Sequence, residues 1–138
     1  MRKPVLLLLI GSALISCKKE EQPAISFDLL TGKVWKVAGV DKNTSTNPPV
    51  TIRYGVLFDC LKDNTFLFKS DNSLIINNGD VKCSSSEVKE ETSEYTIHKA
   101  TNSITMGSAS YYIAEISESQ LKLYLVSGSQ NTVYIYEH

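Results

Sequence analysis

From residue 33 to the C-terminus, apolar and polar side chains alternate with a period of two. Residues 120–126, for example, read QLKLYLV, so that three leucines face one way, opposite Lys122 and Tyr124. Such alternation, bounded by Gly, Asn and Ser turns, predicts β-strands with one buried face. The sequence predicts eight strands: Lys33–Val40, Thr65–Lys69, Ser73–Asn78, Ser93–Lys99, Ser103–Met106, Ser110–Ser117, Gln120–Val126 and Thr132–Glu137.

Short turns join most of these strands, and the connections leave no room for crossover helices. Tight turns make neighbouring strands antiparallel, and a meander of eight such strands closes naturally into a barrel. We therefore expect an all-β fold, an antiparallel up-and-down eight-stranded barrel. A two-sheet sandwich is the alternative, because the sequence cannot show closure. A short N-terminal helix is expected over residues 26–32, where Ser26 can cap the first turn and Gly32 can end it.

Three segments interrupt the strand pattern. Residues 41–51, DKNTSTNPPVT, form a polar loop in which consecutive prolines exclude a strand. Residues 54–62 are expected to make a helical turn with its apolar residues on one side. Residues 83–92, CSSSEVKEET, form a second polar loop.

The first sixteen residues differ in composition from the rest of the chain. Arg2 and Lys3 precede an apolar stretch of about eleven residues, well short of the roughly 20 that a membrane-spanning helix needs. A positive start, a short apolar middle and small residues before a cut site are typical of a secretory signal peptide. The chain therefore divides into a lipoprotein signal peptide (residues 1–16), a lipidated tether (17–25) and a single domain (26–138).

The lipoprotein assignment rests on Leu14-Ile15-Ser16-Cys17, which resembles a bacterial lipobox. The resemblance implies acylation of the Cys17 thiol, the most nucleophilic type of side chain near neutral pH, and of the new N-terminal amine. Each buried methylene adds about 0.8 kcal/mol, so two or three chains hold a protein on a membrane. Lys18-Lys19-Glu20-Glu21 resembles the signal after the lipidated cysteine in Bacteroidota lipoproteins. It implies an outer-membrane, lipid-anchored protein exposed on the cell surface; a periplasm-facing position is the alternative.

The number of cysteines and the net charge indicate whether a disulfide forms and whether the chain binds nucleic acid. With Cys17 acylated, Cys60 and Cys83 remain as a pair, which an oxidising envelope favours joining. The bridge closes a loop of about 24 residues and stabilises the fold by roughly 3 kcal/mol. A reactive dithiol is the alternative, but close Cys-x-x-Cys spacing is missing. Loss of Arg2 and Lys3 moves the formal charge from -1 to about -3, and no basic stripe favours nucleic acid.

No group of residues in the sequence favours catalysis. Asp59 and Asp63 share a segment, but Asp63-Asn64 is typical of a turn before a strand. His98 is the one histidine within the predicted strands and has no second ligand nearby, so no metal site is expected. Asn77-Asn78-Gly79-Asp80 suggests calcium, yet the distant acidic ligand is missing. We expect a protein that is not an enzyme and uses no cofactor.

The domain resembles the lipocalin-like lipoproteins of Bacteroidota. The resemblance runs from about Leu29 to Tyr136 and rests on LTGKVWK at residues 30–36, on CLKDNTFLF at 60–68, and on Asn78-Gly79 followed by Cys83. It implies a single lipid-anchored, eight-stranded barrel, although Gly-x-x-Trp stands where lipocalins carry Gly-x-Trp.

The resemblance implies a cell-envelope protein that binds a small hydrophobic ligand inside the barrel. The expected ligand-binding residues are Trp35, Phe66, Phe68 and Tyr112. The interior as a whole is expected to be lined by Trp35, Val37, Phe66, Phe68, Tyr95, Ile97, Ile104, Met106, Tyr112, Ile116, Leu121, Leu123, Leu125, Val133 and Ile135. An outward-facing group, serving as a binding stripe or as cross-strand packing, is expected from Tyr111, Tyr124, Tyr134 and Tyr136. The alternative function is an envelope interaction or structural lipoprotein, with a packed barrel that contacts another envelope protein through its outer face or loops.

Overall fold

A computed structural model describes residues 25–138 of the chain. The predictions for the signal peptide, for lipidation of Cys17 and for the charged tether fall on residues 1–24 or at their boundary, and so lie outside the described residues. Within 25–138 the chain is all-β, as predicted, with no helix of 7 or more residues and none able to cross a membrane. Its strands are Val34–Ala38 (β1), Thr51–Tyr54 (β2), Thr65–Phe68 (β3), Ser73–Asn77 (β4), Glu90–His98 (β5), Ser103–Met106 (β6), Ala109–Ile116 (β7), Gln120–Ser127 (β8) and Gln130–Glu137 (β9).

Eight of these strands form a ring. The neighbours follow the order β1, β3, β4, β5, β6, β7, β8, β9, and β9 pairs in turn with β1. Every pair in the ring is antiparallel. This agrees with the predicted order of strands, because each tight turn places consecutive strands side by side.

β2 is the strand that the sequence pattern does not predict. It pairs in parallel with Gln130–Val133 in the N-terminal half of β9, while the C-terminal half of β9 pairs with β1. A parallel partner so distant along the chain leaves no signal in the local pattern. The prediction of a polar loop from residue 41 is correct up to Val50. The helical turn predicted for residues 54–62 is shorter than expected, a 3-10 turn at Asp59–Leu61.

The N-terminal helix expected over residues 26–32 is reduced to a single 3-10 turn, Phe27–Leu29. The side chain of Ser26 makes no capping hydrogen bond within the described part of the chain. Leu30 follows the turn and is fully buried, and its carbonyl accepts a 2.9 Å hydrogen bond from the indole N–H of Trp35. This segment therefore covers Trp35 at one end of the ring.

A β-bulge in β7 changes which side chains face the interior. The pairing of β7 with β8 shifts after Ile113, so that Ala114 is the extra residue. A one-residue shift inverts the alternation, and Ile113 and Ile116 consequently both join the core. Tyr112 pairs with Tyr124 on the opposite face and is 44% exposed, so its expected place in the interior is wrong.

Candidate functional site

The inner face of the ring carries two layers of side chains that differ in packing. The layer at the end covered by Leu30, called the packed layer, is 7% exposed or less and comprises Trp35, Phe68, Leu74, Tyr95, Ile104, Ile113, Ile116, Leu121 and Leu123. Phe68 and Tyr95 meet edge to face with ring centroids 5.1 Å apart. The Tyr95 hydroxyl donates to the carbonyl of Lys69 at 2.6 Å. Close packing and satisfied hydrogen bonds make this layer a conventional core.

A second set of inner-face side chains, called the accessible layer, is only partly buried and packs against the packed layer. The strand registers place its members on the same inner face, and all are only partly buried: Val37, Phe66, Ile76, Met106, Tyr111, Leu125, Tyr134 and Tyr136. On β8 the change occurs between neighbours on that face, since Leu123 is fully buried and Leu125 is not. The inner face of the ring thus carries one set of side chains that is fully buried and one that keeps accessible surface.

Three tyrosines supply the hydrogen-bonding groups of the accessible layer. Tyr111 and Tyr134 meet edge to face with centroids 5.8 Å apart, and Tyr136 packs on Phe66 in the same way at 5.3 Å. No partner for their hydroxyls occurs within residues 25–138. Burial, and secondly the other tyrosines, raise the pKa of Tyr136 and of Tyr111 above the ordinary phenol value. The hydroxyls of Tyr111 and Tyr136 are therefore protonated at neutral pH and can donate hydrogen bonds.

The structure separates the four residues predicted to bind a ligand. Trp35 and Phe68 lie in the packed layer, and Phe66 lies in the accessible layer. Tyr112 lies on the outer face, where its ring stacks on Tyr124. Of the three that face inward, Phe66 is the one that is only partly buried.

The outward placement expected for the tyrosine group is wrong for Tyr111, Tyr134 and Tyr136, because all of them face the interior. Val133 and Ile135, expected inside, lie on the outer face and are nevertheless buried. β9 is therefore apolar on both faces, and its own alternation does not reveal which face is inner. The inner face of β9 could have been predicted from β8. The leucines of β8 identify its inner face, and residues that pair directly across the two strands lie on the same face.

The chain between β2 and β3 borders the accessible layer. The N–H of Gly55 donates to the carbonyl of Val133 at 2.8 Å, and a Cβ atom at Gly55 would lie 2.8 Å from the Tyr134 ring. A glycine is required for so close an approach of the backbone. Val56 and Phe58 follow with 66% and 61% of their surface exposed. Exposed apolar side chains of this kind occur at ligand-binding grooves and at interfaces with other proteins.

The predicted disulfide between Cys60 and Cys83 is confirmed. It joins the 3-10 turn before β3 to the loop between β4 and β5. The carboxylate of Asp63 strengthens the same link by accepting the N–H groups of Asp80 at 2.7 Å and Val81 at 3.2 Å. These hydrogen bonds hold the pKa of Asp63 below its usual value. Both loops are therefore fixed beside the accessible layer.

On the outer face, the loop between β1 and β2 covers β8 and encloses a lysine. Lys122 is fully buried, although the alternation predicts an exposed position. Its ammonium pairs with the carboxylate of Asp41 at 2.8 Å. It also donates to loop oxygens of Asn43 (2.5 Å), Thr46 (2.9 Å) and Asn47 (3.0 Å). A buried charge needs such partners, so Lys122 fixes the loop on the ring.

Asp41 completes this network. Its carboxylate accepts hydrogen bonds from the Tyr54 hydroxyl and from the N–H of Asn43, both at 2.9 Å. Burial opposes ionisation, but the hydrogen bonds from Lys122, Asn43 and Tyr54 prevail and lower the pKa of Asp41 to about 2. The ion pair with Lys122 therefore persists through the neutral and mildly acidic range.

The residues weighed for catalysis lie apart from one another. Asp59 forms an exposed ion pair with Lys62 at 2.6 Å. Asp63 binds backbone amides, as described above. His98 is exposed, with its Nε2 atom 3.1 Å from the hydroxyl of Thr105. In the described range 25–138, no group of three or more His, Cys, Asp or Glu side chains could hold a metal ion.

The chain was compared with protein-family models, with curated proteins and with solved structures. No family model matches it. No curated protein and no solved structure matches it either.

Proposed function

We propose that this chain is a cell-envelope lipoprotein whose lipocalin-like barrel binds a small hydrophobic ligand through the accessible layer. The lipobox-like segment ending at Cys17 supports attachment to the outer membrane, and the charged residues after it support display on the cell surface. The ring of eight antiparallel strands supports a barrel, because a meander that returns to its first strand leaves no edge of that ring free.

The accessible layer is the observation that carries this proposal. Apart from three phenol groups, the side chains named as its members are apolar, which suits a ligand with a hydrocarbon body and one group that accepts hydrogen bonds. No inward-facing residue of the layer carries a positive charge. A neutral carbonyl or hydroxyl therefore suits it better than a carboxylate, which would lose hydration without compensation.

The proposed ligand-binding residues differ from those expected from the sequence pattern. They are Phe66, Tyr111, Tyr134 and Tyr136. Trp35 and Phe68 would instead contact the ligand from the packed layer, which closes the inner side of the site. The mouth is the region of Gly55 and Phe58, where the connection between β2 and β3 borders the interior.

Two adjacent residues of β8 allow a matched test of the site. Leu125 faces the interior, while Val126 faces outward and is 58% exposed. The neutral fluorescent probe N-phenyl-1-naphthylamine should bind the chain from residue 17, made soluble by Cys17→Ser. Leu125→Trp should weaken this binding at least tenfold by filling the layer, and Val126→Trp should leave it unchanged. Equal probe binding by both variants would contradict an interior site.

The natural ligand should remain bound during purification and can be recovered from the protein. Organic extraction of the purified wild-type protein, followed by mass spectrometry, should release a neutral apolar compound. The Leu125→Trp protein, purified in the same way, should release much less. An extract that is the same for both proteins would show that the compound is carried elsewhere.

Attachment through Cys17 has a separate test. Cys17→Ala should move the protein from the membrane fraction of cells to the soluble fraction. The intact mass of the wild-type protein should exceed that of the chain from residue 17 by the mass of its acyl groups. A Cys17→Ala protein that still fractionates with membranes would contradict the proposed anchor.

A second candidate function, contact with another envelope protein, is favoured by apolar side chains exposed on either side of β2. Val40, Val50, Val56 and Phe58 are each exposed by half or more. A photo-reactive amino acid at position 58 should then form an adduct with one protein in intact cells. Adducts with lipid or small molecules alone would favour the mouth of a ligand site instead.

A further inference from the structure

A cleft on the outer face of the ring is separate from the accessible layer. Its volume is about 670 Å³, within the range of small-molecule sites. Pro48 and Pro49 border it on the side of the loop between β1 and β2, and Asn102 borders it at the turn between β5 and β6. Tyr112 of β7 and Tyr124 of β8 lie between these two sides.

The tyrosine pair gives the cleft an aromatic surface. The rings of Tyr112 and Tyr124 stack with centroids 5.3 Å apart and an angle of 24° between their planes. The bulge at Ala114 is what turns Tyr112 to this face, where it stays 44% exposed. Among residues 25–138 the two hydroxyls find no hydrogen-bond partner. Stacked tyrosines provide a large contact area that loses little side-chain entropy on binding.

The wall formed by the loop is held in place before any ligand arrives. Thr46 and Asn47 are hydrogen-bonded to the buried ammonium of Lys122, and the two residues after them are prolines with restricted backbones. Pro48 is itself buried. Because the wall is already ordered, a ligand does not have to offset the entropy of ordering it.

Within residues 25–138, the lining of the cleft is uncharged. None of the described residues that line it has an acidic or basic side chain. The buried charges of the neighbouring network, Lys122 and Asp41, are paired with each other and do not line the cleft. A charged ligand would lose its hydration there without an opposite charge to replace it. The cleft therefore selects for a neutral ligand.

We propose that this cleft binds a neutral saccharide, from a monosaccharide to a trisaccharide. One side of a pyranose ring presents C–H groups, which pack favourably on the electron-rich face of an aromatic ring. The sugar hydroxyls exchange hydrogen bonds with the side-chain amide of Asn102 and with the phenols of Tyr112 and Tyr124. A pure hydrocarbon would leave these polar groups without partners, so the cleft and the accessible layer differ in the ligands they take.

Two-dimensional NMR of the chain from residue 17, carrying Cys17→Ser, tests this proposal. The probes are maltotriose and the trimer of N-acetylglucosamine as neutral sugars, the trimer of galacturonic acid as a charged sugar, and a proline-rich peptide. At least one neutral trimer should shift the signals of Tyr112, Tyr124 and Asn102 with a Kd of about 1 mM or tighter. The charged trimer should bind at least tenfold more weakly.

Variants separate the cleft from the rest of the surface. Asn102 has a positive φ of 48°, so Asn102→Gly keeps the backbone conformation and removes only the amide. Asn102→Gly and Tyr112→Leu, which keeps apolar bulk without the ring, should each weaken sugar binding at least tenfold. Val88→Ala shortens an apolar side chain that is 57% exposed outside the cleft and should change nothing. The proposal is overturned if neither neutral trimer shifts the cleft signals, if the charged trimer or the peptide binds there more tightly, or if Tyr112→Leu binds sugar normally.

Discussion

The two layers inside the ring are built from the same alternating strands, yet one is fully buried and the other is only partly buried. On β8, Leu123 is fully buried whereas Leu125 keeps accessible surface. The Tyr95 hydroxyl has a backbone partner, whereas that of Tyr136 has none in the part of the chain that the structure describes. Alternation decides which side chains face inward. How tightly they pack depends on what covers each end of the ring.

The difference between the layers separates stability from binding. The packed layer is sealed by Leu30 and by the hydrogen bond from Trp35, so its apolar surface is removed from water. Each residue of the accessible layer buries less of its surface, and the tyrosine hydroxyls of this layer have no hydrogen-bond partner among residues 25–138. If this interpretation is correct, substitutions should change stability in the first layer and ligand uptake in the second.

The largest expected effect is the loss of the indole at the sealed end. Trp35→Ala should lower the free energy of unfolding by about 3–5 kcal/mol, because a fully buried aromatic side chain is removed. Phe66→Ala in the accessible layer should cost clearly less. Urea denaturation followed by circular dichroism measures both values. Equal losses would mean that the two layers are packed alike.

Removal of the disulfide should have the next largest effect. The double change Cys60→Ser and Cys83→Ser should lower the free energy of unfolding by about 3 kcal/mol, since the reduced chain regains loop entropy when unfolded. Hydrogen exchange should rise first at the ends of β3 and β4 next to the bridge, and least around Phe68 and Leu74 at the other ends of these strands. A uniform rise over the whole ring would show that the layers are not independent.

Replacing a leucine by the larger phenylalanine should destabilise the two layers to different extents. Leu123→Phe should cost about 1–3 kcal/mol, because overpacking a filled core forces strain. Leu125→Phe should change the free energy of unfolding by less than about 0.5 kcal/mol, since its neighbours are only partly buried. Thermal denaturation of the two single variants provides the comparison. A cost at Leu125 as large as that at Leu123 would remove the argument for an interior ligand.

The smallest expected effect concerns single hydroxyl groups. Tyr95→Phe should cost about 1 kcal/mol, because it breaks the bond to the Lys69 carbonyl and leaves that oxygen without this partner. Tyr136→Phe should stay within about 0.5 kcal/mol of the wild type, since its hydroxyl has no hydrogen-bond partner among residues 25–138. Chemical denaturation of both proteins measures the difference. A destabilised Tyr136→Phe protein would show that this hydroxyl serves the fold.

Much of the fold follows from the sequence pattern. The eight predicted strands overlap eight of the observed strands, and Ser103–Met106 has the same bounds in both. β2 is not predicted because β9, the strand it pairs with in the described part of the chain, lies far along the sequence and runs parallel to it. The N-terminal helix fails for another reason: Leu30 is drawn into the core, and the segment that covers Trp35 has room for one 3-10 turn.

The candidate site follows from the sequence only in part. Phe66 is placed inside correctly, but Tyr112 is not, because one extra residue at Ala114 inverts the alternation in β7. Tyr134 and Tyr136 are misplaced because β9 is buried on both faces. The burial of Lys122 is missed because the residues that surround it belong to a distant polar loop.

The sequence by itself determined the all-β class, the position of the ring strands and the identity of the cysteine pair. These depend on alternation, turn residues and cysteine count, which are local properties of the chain. Tertiary structure alone decided which tyrosines face inward, where Lys122 is buried and which end of the interior stays accessible. An alternating strand can pack with either face inward, and only the contacts between distant segments make one choice lower in free energy.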